Sequence, residues 1–346
     1  MSQTSLRLPA EWEPQAAVLL AWPHDRTDWA PRLAEVERTY AALVGAIARF
    51  ETALVCVADA DLERRARVQL KAAGADLSRV RFLVLAYDDT WLRDSGPITL
   101  VSTQGFRWLD FHFTGWGGKF EAARDDALVT GLLGAGVLAA GEHRRIDWAL
   151  EGGAIESDGQ GSLLTTWRCL HQRHPGQSRE QIEGQLRQSL AVDRVLWLEH
   201  GYLEGDDTDA HIDTLARFAP NGAIVYQRCD DPSDPQHAEL EAMRRQLAAL
   251  RTADGEPYRL HALPWAAPIL DQGRRLAASY ANYLIVNGAV LVPAYDDPSD
   301  EVAAAVIGAA HPGRQVVPIP CRPLIWQNGS LHCVTMQLPG GALAAN

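Results

Sequence analysis

The chain has 346 residues, 47% hydrophobic and 22% charged, enough for a large buried core in one domain or two. Its formal charge is −12, from 32 Lys and Arg against 44 Asp and Glu, which argues against nucleic acid or an anionic membrane as the main partner. No run of about 18 apolar residues is present, MSQTSLRLPAEWEPQ lacks the pattern of a signal peptide, and Cys56, Cys169, Cys229, Cys321 and Cys333 are scattered without a C-x-x-C pair. That cysteine usage suits reduced thiols in a cytoplasm, with neither a disulfide frame nor a zinc cluster.

In chain order, AAVLLAW near the start predicts a strand, followed by a long helix over about 31–49 and the strand TALVCVA. ITLVS and RWLDFHF predict a hairpin, with a helix near 121–134 after it. GAIESDGQGSLLTTW (153–167) reads as two short strands joined at Asp158-Gly159, then a helix over 178–190 and the strand RVLWL. IDTLARFAPNGAIVYQ turns at Asn221-Gly222 and precedes a helix near 235–251 and a strand near 258–264. ASYANYLIVNGAVLVPAY turns at Asn287-Gly288, before a helix at about 299–310 and the strand RQVVPIP. The Asn-Gly and Asp-Gly pairs carry weight because tight hairpins need positive φ.

This makes about five hairpin–helix–strand units at a spacing of roughly 50–60 residues, a period that predicts a five-fold pseudosymmetric α/β propeller in a single domain, 1–346. The first unit lacks a hairpin of its own. AAVLLAW paired with LHCVTMQL, from near the chain's end, would supply it and place Cys333 in the closing hairpin. A doubly wound α/β fold is the alternative.

Chemistry-bearing residues stand at the openings of these units. Asp94 lies in DDTWLRDSGP, Glu151 in LEGG, His211 and Asp213 in DAHID, and Cys333 in LHC. Singly, each has an ordinary reading: a turn cap, an exposed turn carboxylate, a core histidine, a small core hydrophobe. Rotation-related units would bring them to one centre. His211 and Asp213, two apart, would share one face of a strand. A metal site is disfavoured, since the acidic run around His211 matches no EF-hand loop and no second histidine has zinc spacing. A carboxylate pair suits the planar N–H fork of a guanidinium. Its central carbon would then face a thiolate nucleophile, with a histidine to move protons.

These motifs resemble the agmatine deiminase family, within the guanidino-group-modifying superfamily. The similarity runs through LPAEWEPQAAVLLAWPH, DDTWLRDSGP, FTGWGGKF, EGGAIESDGQGSLLTT, DTDAHIDTLARF, ASYANYLIVNGAVLVP and SLHCVTMQLP. The resemblance implies a five-fold α/β propeller and a hydrolase that needs no cofactor. It implies Cys333 as nucleophile, His211 as general acid and base, Asp94 and Asp213 as guanidinium ligands, and Glu151 as support for His211 and a substrate contact. Trp91 would line the alkyl chain, and Arg93 would be structural. Where the family has GGGNIHC, this chain has IWQNGSLHC, with Trp326 and Gln327 in place of small residues. DAHID for DGHID reads as a minor loop change.

The expected reaction is agmatine plus water to N-carbamoylputrescine and ammonia, through a covalent thiouronium intermediate. The partner is then a small cationic guanidine, with homo-oligomerisation left open. Alternatives are deimination of free or peptidyl arginine, and a non-catalytic member that binds a guanidine or polyamine.

Overall fold

Asn221 and Gly222 both adopt positive φ, 62° and 66°, conformations that Asn and Gly tolerate better than other residues. They turn the strand Ala216–Ala219 back onto Ala223–Gln227, antiparallel with Ala219 opposite Ala223. The helix His237–Ala249 then carries the chain to Arg259–Leu263, which pairs parallel with Ala223–Gln227. The parallel pairing follows from the helical crossover, which returns the chain to the same end of the sheet.

The same hairpin–helix–strand topology recurs. Ile98–Ser102 and Gly105–His112 lead to Gly141–Ala149. Ile155–Ser157 and Ser162–Thr166 lead to Arg194–Leu198. Leu284–Val286 and Ala289–Ala294 lead to Gln315–Pro320. In the remaining sheet, Gln15–Ala21 pairs antiparallel with Met336–Pro339, from the other end of the chain, and parallel with Thr52–Val57. The fold is therefore mixed α/β: among the described residues five of the six sheets share this antiparallel-then-parallel order, the first extended by a further strand, and the sixth is a two-stranded hairpin. Central strands such as Gln15–Ala21 and Ala289–Ala294 read as unbroken apolar runs because both faces are covered, with Val18 to Ala21 fully buried.

The structure, a computed structural model, describes residues 6–344. Residues 1–5, where part of the signal-peptide reading falls, and 345–346 lie outside the described residues. Among the described residues no helix is long and apolar enough to cross a membrane, and all five cysteines are unpaired and buried.

Four local expectations are corrected. The helix expected over 121–134 is two short ones, Ala123–Asp126 and Leu128–Gly134. The bend lets Asp125 accept from the backbone of Asp88 (2.8 Å) and Asp126 from that of Phe113 (2.6 Å). The first sheet gains a polar helix, Ala60–Ala72, capped by Asp59, and a fourth strand, Val80–Val84. LHCVTMQL is a strand only from Met336. Upstream its backbone is taken by other partners: the N–H groups of His332 and Cys333 donate to Asn282 Oδ1, and Cys333 C=O accepts from Arg93 N. Cys333 thus lies in the turn before the closing strand. His211 and Asp213 sit on a 3₁₀ turn, Ile212–Thr214, rather than on a strand. The Asp206 carboxylate binds Thr208 Oγ1 (2.6 Å) and Ala210 N (2.8 Å), holding the chain in a loop up to that point.

Arg217 pins the units together. Fully buried, it donates to Glu156 of the third sheet (2.8 Å), to Tyr283 C=O at the edge of the fifth (2.9 Å), and to Glu11 near the N-terminus. Removing it takes from Glu11 the cation that does most to hold its carboxyl low, and from Glu156, which burial already pushes up to about 8, its guanidinium donor. Arg217→Leu is expected to cost about 3–5 kcal/mol of stability, read as a lower midpoint in urea unfolding.

Candidate active site

Asp94 is held on a short helical turn, Leu92–Ser95, just before the second hairpin. Its Oδ2 accepts from Trp116 Nε1 (2.9 Å) and its Oδ1 from Gly153 N (2.9 Å). Glu151 precedes the third hairpin at the head of the 3₁₀ turn Gly152–Ala154, with Oε1 accepting from Arg173 Nε (2.7 Å). His211 lies between these two acids, Nδ1 at 3.6 Å from Asp94 Oδ1 and Nε2 at 3.5 Å from Glu151 Oε2. Those separations are charge contacts rather than hydrogen bonds. Cys333 Sγ faces Asp213 Oδ2 (3.5 Å) and accepts from Asn282 Nδ2 (3.1 Å). All five residues named from the sequence are therefore brought together, each at least 95% buried.

Gly153 shows how tightly they converge. A Cβ there would lie 2.6 Å from His211 Nδ1, 2.8 Å from Asp94 Oδ1 and 3.1 Å from Asp213 Oδ2. Four buried polar atoms of this cluster have no hydrogen-bond partner: both ring nitrogens of His211, Glu151 Oε2 and Asp213 Oδ1. Buried polar groups are mostly partnered by protein, water or a ligand, so these four leave room for a further partner.

The electrostatics follow from this crowding. Burial, with Asp213 and Glu151 nearby, pushes the Asp94 carboxyl up to about 6. Burial also drives the Cys333 thiol well above its ordinary value, and the Asp213 and Asp94 charges add to it. For His211, burial acts downward, but Asp94, Cys169 and Glu151 outweigh it and keep the ring protonated well above its usual range. Glu151 is lowered despite burial, chiefly by His211 and Arg173. Asp213 is lowered despite burial, chiefly by His332.

Cys333 and Asp94 open into a cleft of roughly 600 Å³ that Trp91, Trp116, Trp326 and Gln327 also line. Trp91 packs on Trp29 (centroids 5.6 Å apart) and on the backbone of Gly329. The bulky stretch before the thiol is clamped: Arg32 lies 3.9 Å over the Trp326 ring, and Arg274 donates to the Trp326 carbonyl (2.6 Å).

Asn282, His332, Gly153, Trp116, Arg173 and Cys169 also belong to the cluster but were not singled out from the sequence. The first four lie inside the family-like motifs ASYANYL, SLHC, EGGAIES and FTGWGGKF, which was the available signal. Arg173 and Cys169 had none, being an ordinary cation and one of five scattered thiols. Glu151, Cys169 and His211 can place ligand atoms within 4.8 Å of one another. Arg173 on Glu151 and the proton on His211 oppose a metal cation there.

DAHID is a larger change than it reads. Ala210 has φ 73°, a left-handed conformation that costs an alanine about 1–2 kcal/mol. Asp206 on its N–H and Thr166 Oγ1 on its carbonyl (2.7 Å) hold it there.

Five like sheets whose leading turns pool a thiol, an imidazole and three carboxylates define a cysteine-centred α/β protein. Residues 7–339 match the model of the Porphyromonas-type peptidyl-arginine deiminases. The agmatine deiminase of Stutzerimonas stutzeri is 36% identical over 97% of this chain and 96% of its own. A Cys-to-Ser variant of the C. jejuni agmatine deiminase with substrate bound superposes with a TM-score of 0.90, at 32% identity over 98% of this chain and 97% of its own. A Porphyromonas gingivalis structure provisionally described as an arginine deiminase has a TM-score of 0.89, at 47% identity over 98% of this chain and 99% of its own. The chain belongs to the Porphyromonas-type peptidyl-arginine deiminase family, the family of the agmatine deiminases.

Gly153→Ala is expected to lower turnover about 100-fold by displacing His211 and Asp94. Thermal unfolding of the same variant should stay near wild type, which separates a displaced site from a lost fold.

Proposed function

We propose that the protein hydrolyses agmatine to N-carbamoylputrescine and ammonia. The observation that carries this reading is the pair of unpartnered carboxylate oxygens, Glu151 Oε2 and Asp213 Oδ1. They belong to the same cluster as Asp94 and Cys333, and a guanidinium offers the N–H donors and positive charge they lack. Asp94 and Asp213 would grip its edges, and Trp91 would flank the alkyl chain.

In the free protein Cys333 is a neutral thiol. A guanidinium beside it favours the thiolate, whose proton passes to solvent through the cleft that Cys333 lines. The thiolate attacks the guanidinium carbon, and His211, held protonated by Asp94 and Glu151, delivers its proton to the departing nitrogen. Ammonia leaves and a thiouronium remains on Cys333. Neutral His211 then takes a proton from water. The hydroxide attacks the same carbon, the C–S bond breaks, and the ureido product and thiolate are released.

Two features favour agmatine over arginine. The cleft lining holds seven acidic side chains, two of them (Asp89 and Asp125) pushed by burial up to about 7, against three cations, Arg26, Lys119 and Arg274. Each cation is already engaged: Arg26 by Asp59 (2.9 Å), Lys119 by Asp209 (2.7 Å), Arg274 by the Trp326 carbonyl. An α-carboxylate would meet net repulsion. Arg274 and Lys119 are nonetheless the groups an arginine substrate would recruit, and the P. gingivalis protein's description keeps that reading in the test. Trp326 and Gln327 narrow the approach for a peptide backbone.

We propose further that the five units form a single catalytic domain, ringed as a five-fold propeller. The pairing of strands from both chain ends and the convergence of unit openings on one cluster support this. Five unpaired cysteines support a reducing, cytoplasmic setting.

Ammonia release from agmatine, arginine and a blocked arginine peptide, measured side by side, tests the substrate. A higher kcat/KM for agmatine, abolished in Cys333→Ser, is expected; a higher value for arginine would overturn the assignment while leaving the chemistry. The pH profile gives a second check. Asp94 must be ionised to accept guanidinium N–H groups, and its carboxyl sits at about 6. Activity is therefore lost below that pH, with kcat/KM falling about tenfold per unit on the acid side, and falls again on the alkaline side once His211, whose pKa is raised well above its ordinary value, gives up its proton.

A further inference from the structure

Glu11 lies in LPAEWEP, a motif that the catalytic scheme above leaves without a role. Its side chain reaches across the molecule to His332, whose Nε2 is 2.8 Å from Glu11 Oε1. On the opposite edge of the fully buried ring, Nδ1 is 2.8 Å from Asp213 Oδ2, the same oxygen that faces Cys333 Sγ. Glu11 is fixed in turn by Arg93 Nη1 (3.1 Å), Gln337 Nε2 (2.9 Å) and Arg217. The His332 backbone is fixed as well, its N–H donating to Asn282 Oδ1 (2.9 Å).

A carboxylate can only accept and both ring nitrogens face one, so the ring as placed donates from Nδ1 to Asp213 and from Nε2 to Glu11, while burial, Arg217 and Arg93 act against that doubly protonated form. The terminal torsion of an aspartate is broad. The pocket therefore needs something to set which carboxylate oxygen faces the thiol and which faces the substrate. We propose that His332, anchored by Glu11, is a positioning residue that locks the rotation of Asp213, turning Oδ2 to Cys333 and leaving Oδ1 free for the guanidinium. The inference rests on the reading of Asp213 and Cys333 as the guanidinium site. It extends that site through His332 to the N-terminal segment of the chain.

Two substitutions split the two edges of the ring. In His332→Asn the side-chain amide takes the place of Nδ1, keeping the donor to Asp213 and losing Glu11. In His332→Gln the amide takes the place of Nε2, keeping Glu11 and losing Asp213. Both remove the imidazole from the same packing site, so a merely structural role would harm them alike. Expected is a kcat/KM within about tenfold of wild type for Asn, the loss of one hydrogen bond, against a loss of about 100-fold for Gln, at similar melting temperatures. Equal losses, or the reverse order, would overturn the proposal.

A probe that ignores the substrate tail keeps this separate from the agmatine assignment. 2-Chloroacetamidine carries an amidinium for Asp213 and a chloride that the Cys333 thiolate displaces to form a thioether, located by mass spectrometry. If wild type is alkylated at Cys333 yet releases no ammonia from agmatine, the substrate reading fails, and the Asn-over-Gln order of alkylation rates still decides the role of His332. Glu11→Gln, close in shape, covers the case in which either histidine variant does not fold. It should slow alkylation several-fold at a temperature where both proteins are folded, with a lower melting temperature because Arg217 and Arg93 lose their shared carboxylate. Wild-type rates in that variant would overturn the anchoring by Glu11.

Discussion

Asp94, Glu151 and Asp213 share one buried cluster, and a buried carboxylate is tolerated only where charge or hydrogen bonds face it. Arg173 answers Glu151, and His332 answers Asp213. Asp94 has only an indole N–H, a backbone N–H and the more distant His211, and its carboxyl rises accordingly. The cluster is thus short of positive charge at the spot where polar atoms are unmet. A guanidinium corrects that deficit, and on this reading one cation both completes the hydrogen bonding and activates the thiol. In its absence burial and the neighbouring acids keep Cys333 a protonated thiol, a poor nucleophile toward other electrophiles.

The fold makes such a cluster affordable by drawing it from separate units. Asp94, Glu151 and His211 each stand on a short turn at the opening of a hairpin, and Cys333 on the turn before the closing strand. Those turns are rigid because buried side chains consume their backbone groups. Asn282 serves Cys333 and His332, Arg217 joins the third and fifth units to Glu11, and Asp206 shapes the loop before His211. Ala210 at positive φ shows the force of that constraint, since the strain persists only where neighbouring bonds outweigh it.

Much of this was legible in the sequence because its signals are local. Asn221-Gly222 marks its hairpin through a φ requirement, and the helix-to-strand crossovers of the third, fourth and fifth units follow from apolar periodicity. The family-like motifs brought Asp94, Glu151, His211, Asp213 and Cys333 to one place. What could not be read is what depends on distant partners. LHCVTMQL has strand composition throughout, yet Asn282 and Arg93 claim its first half, and neither lies near it in sequence. The helix near 121–134 bends because two aspartates serve backbone groups elsewhere. The two-residue spacing of His211 and Asp213 suggested a strand, while the turn that carries them is set by Asp206. Arg173 sits in an undistinguished helical segment, and only the fold puts it on Glu151.

The substitutions at Trp326 and Gln327 bear on access to the site more than on its chemistry. Trp326 needs a partner for its exposed face, and Arg32 provides a planar cation at 3.9 Å, itself tied to Asp271 (2.7 Å). Asp271 pairs with Arg274 in the small hairpin Leu270–Asp271 and Arg274–Arg275, and Arg274 returns to the Trp326 carbonyl. The segment is thereby held as a fixed wall where a glycine-rich one would bend. Asn328 accommodates the turn with φ 71° and donates to Asp207 (2.8 Å), so the wall also orders an acid on the cleft lining. Beyond it, the Asn282, Asp213 and His332 contacts to the thiol turn involve no residue of the altered stretch. A change that stiffens the entrance and spares the catalytic contacts alters which tails can enter, while the carbon that Cys333 meets remains that of a guanidinium.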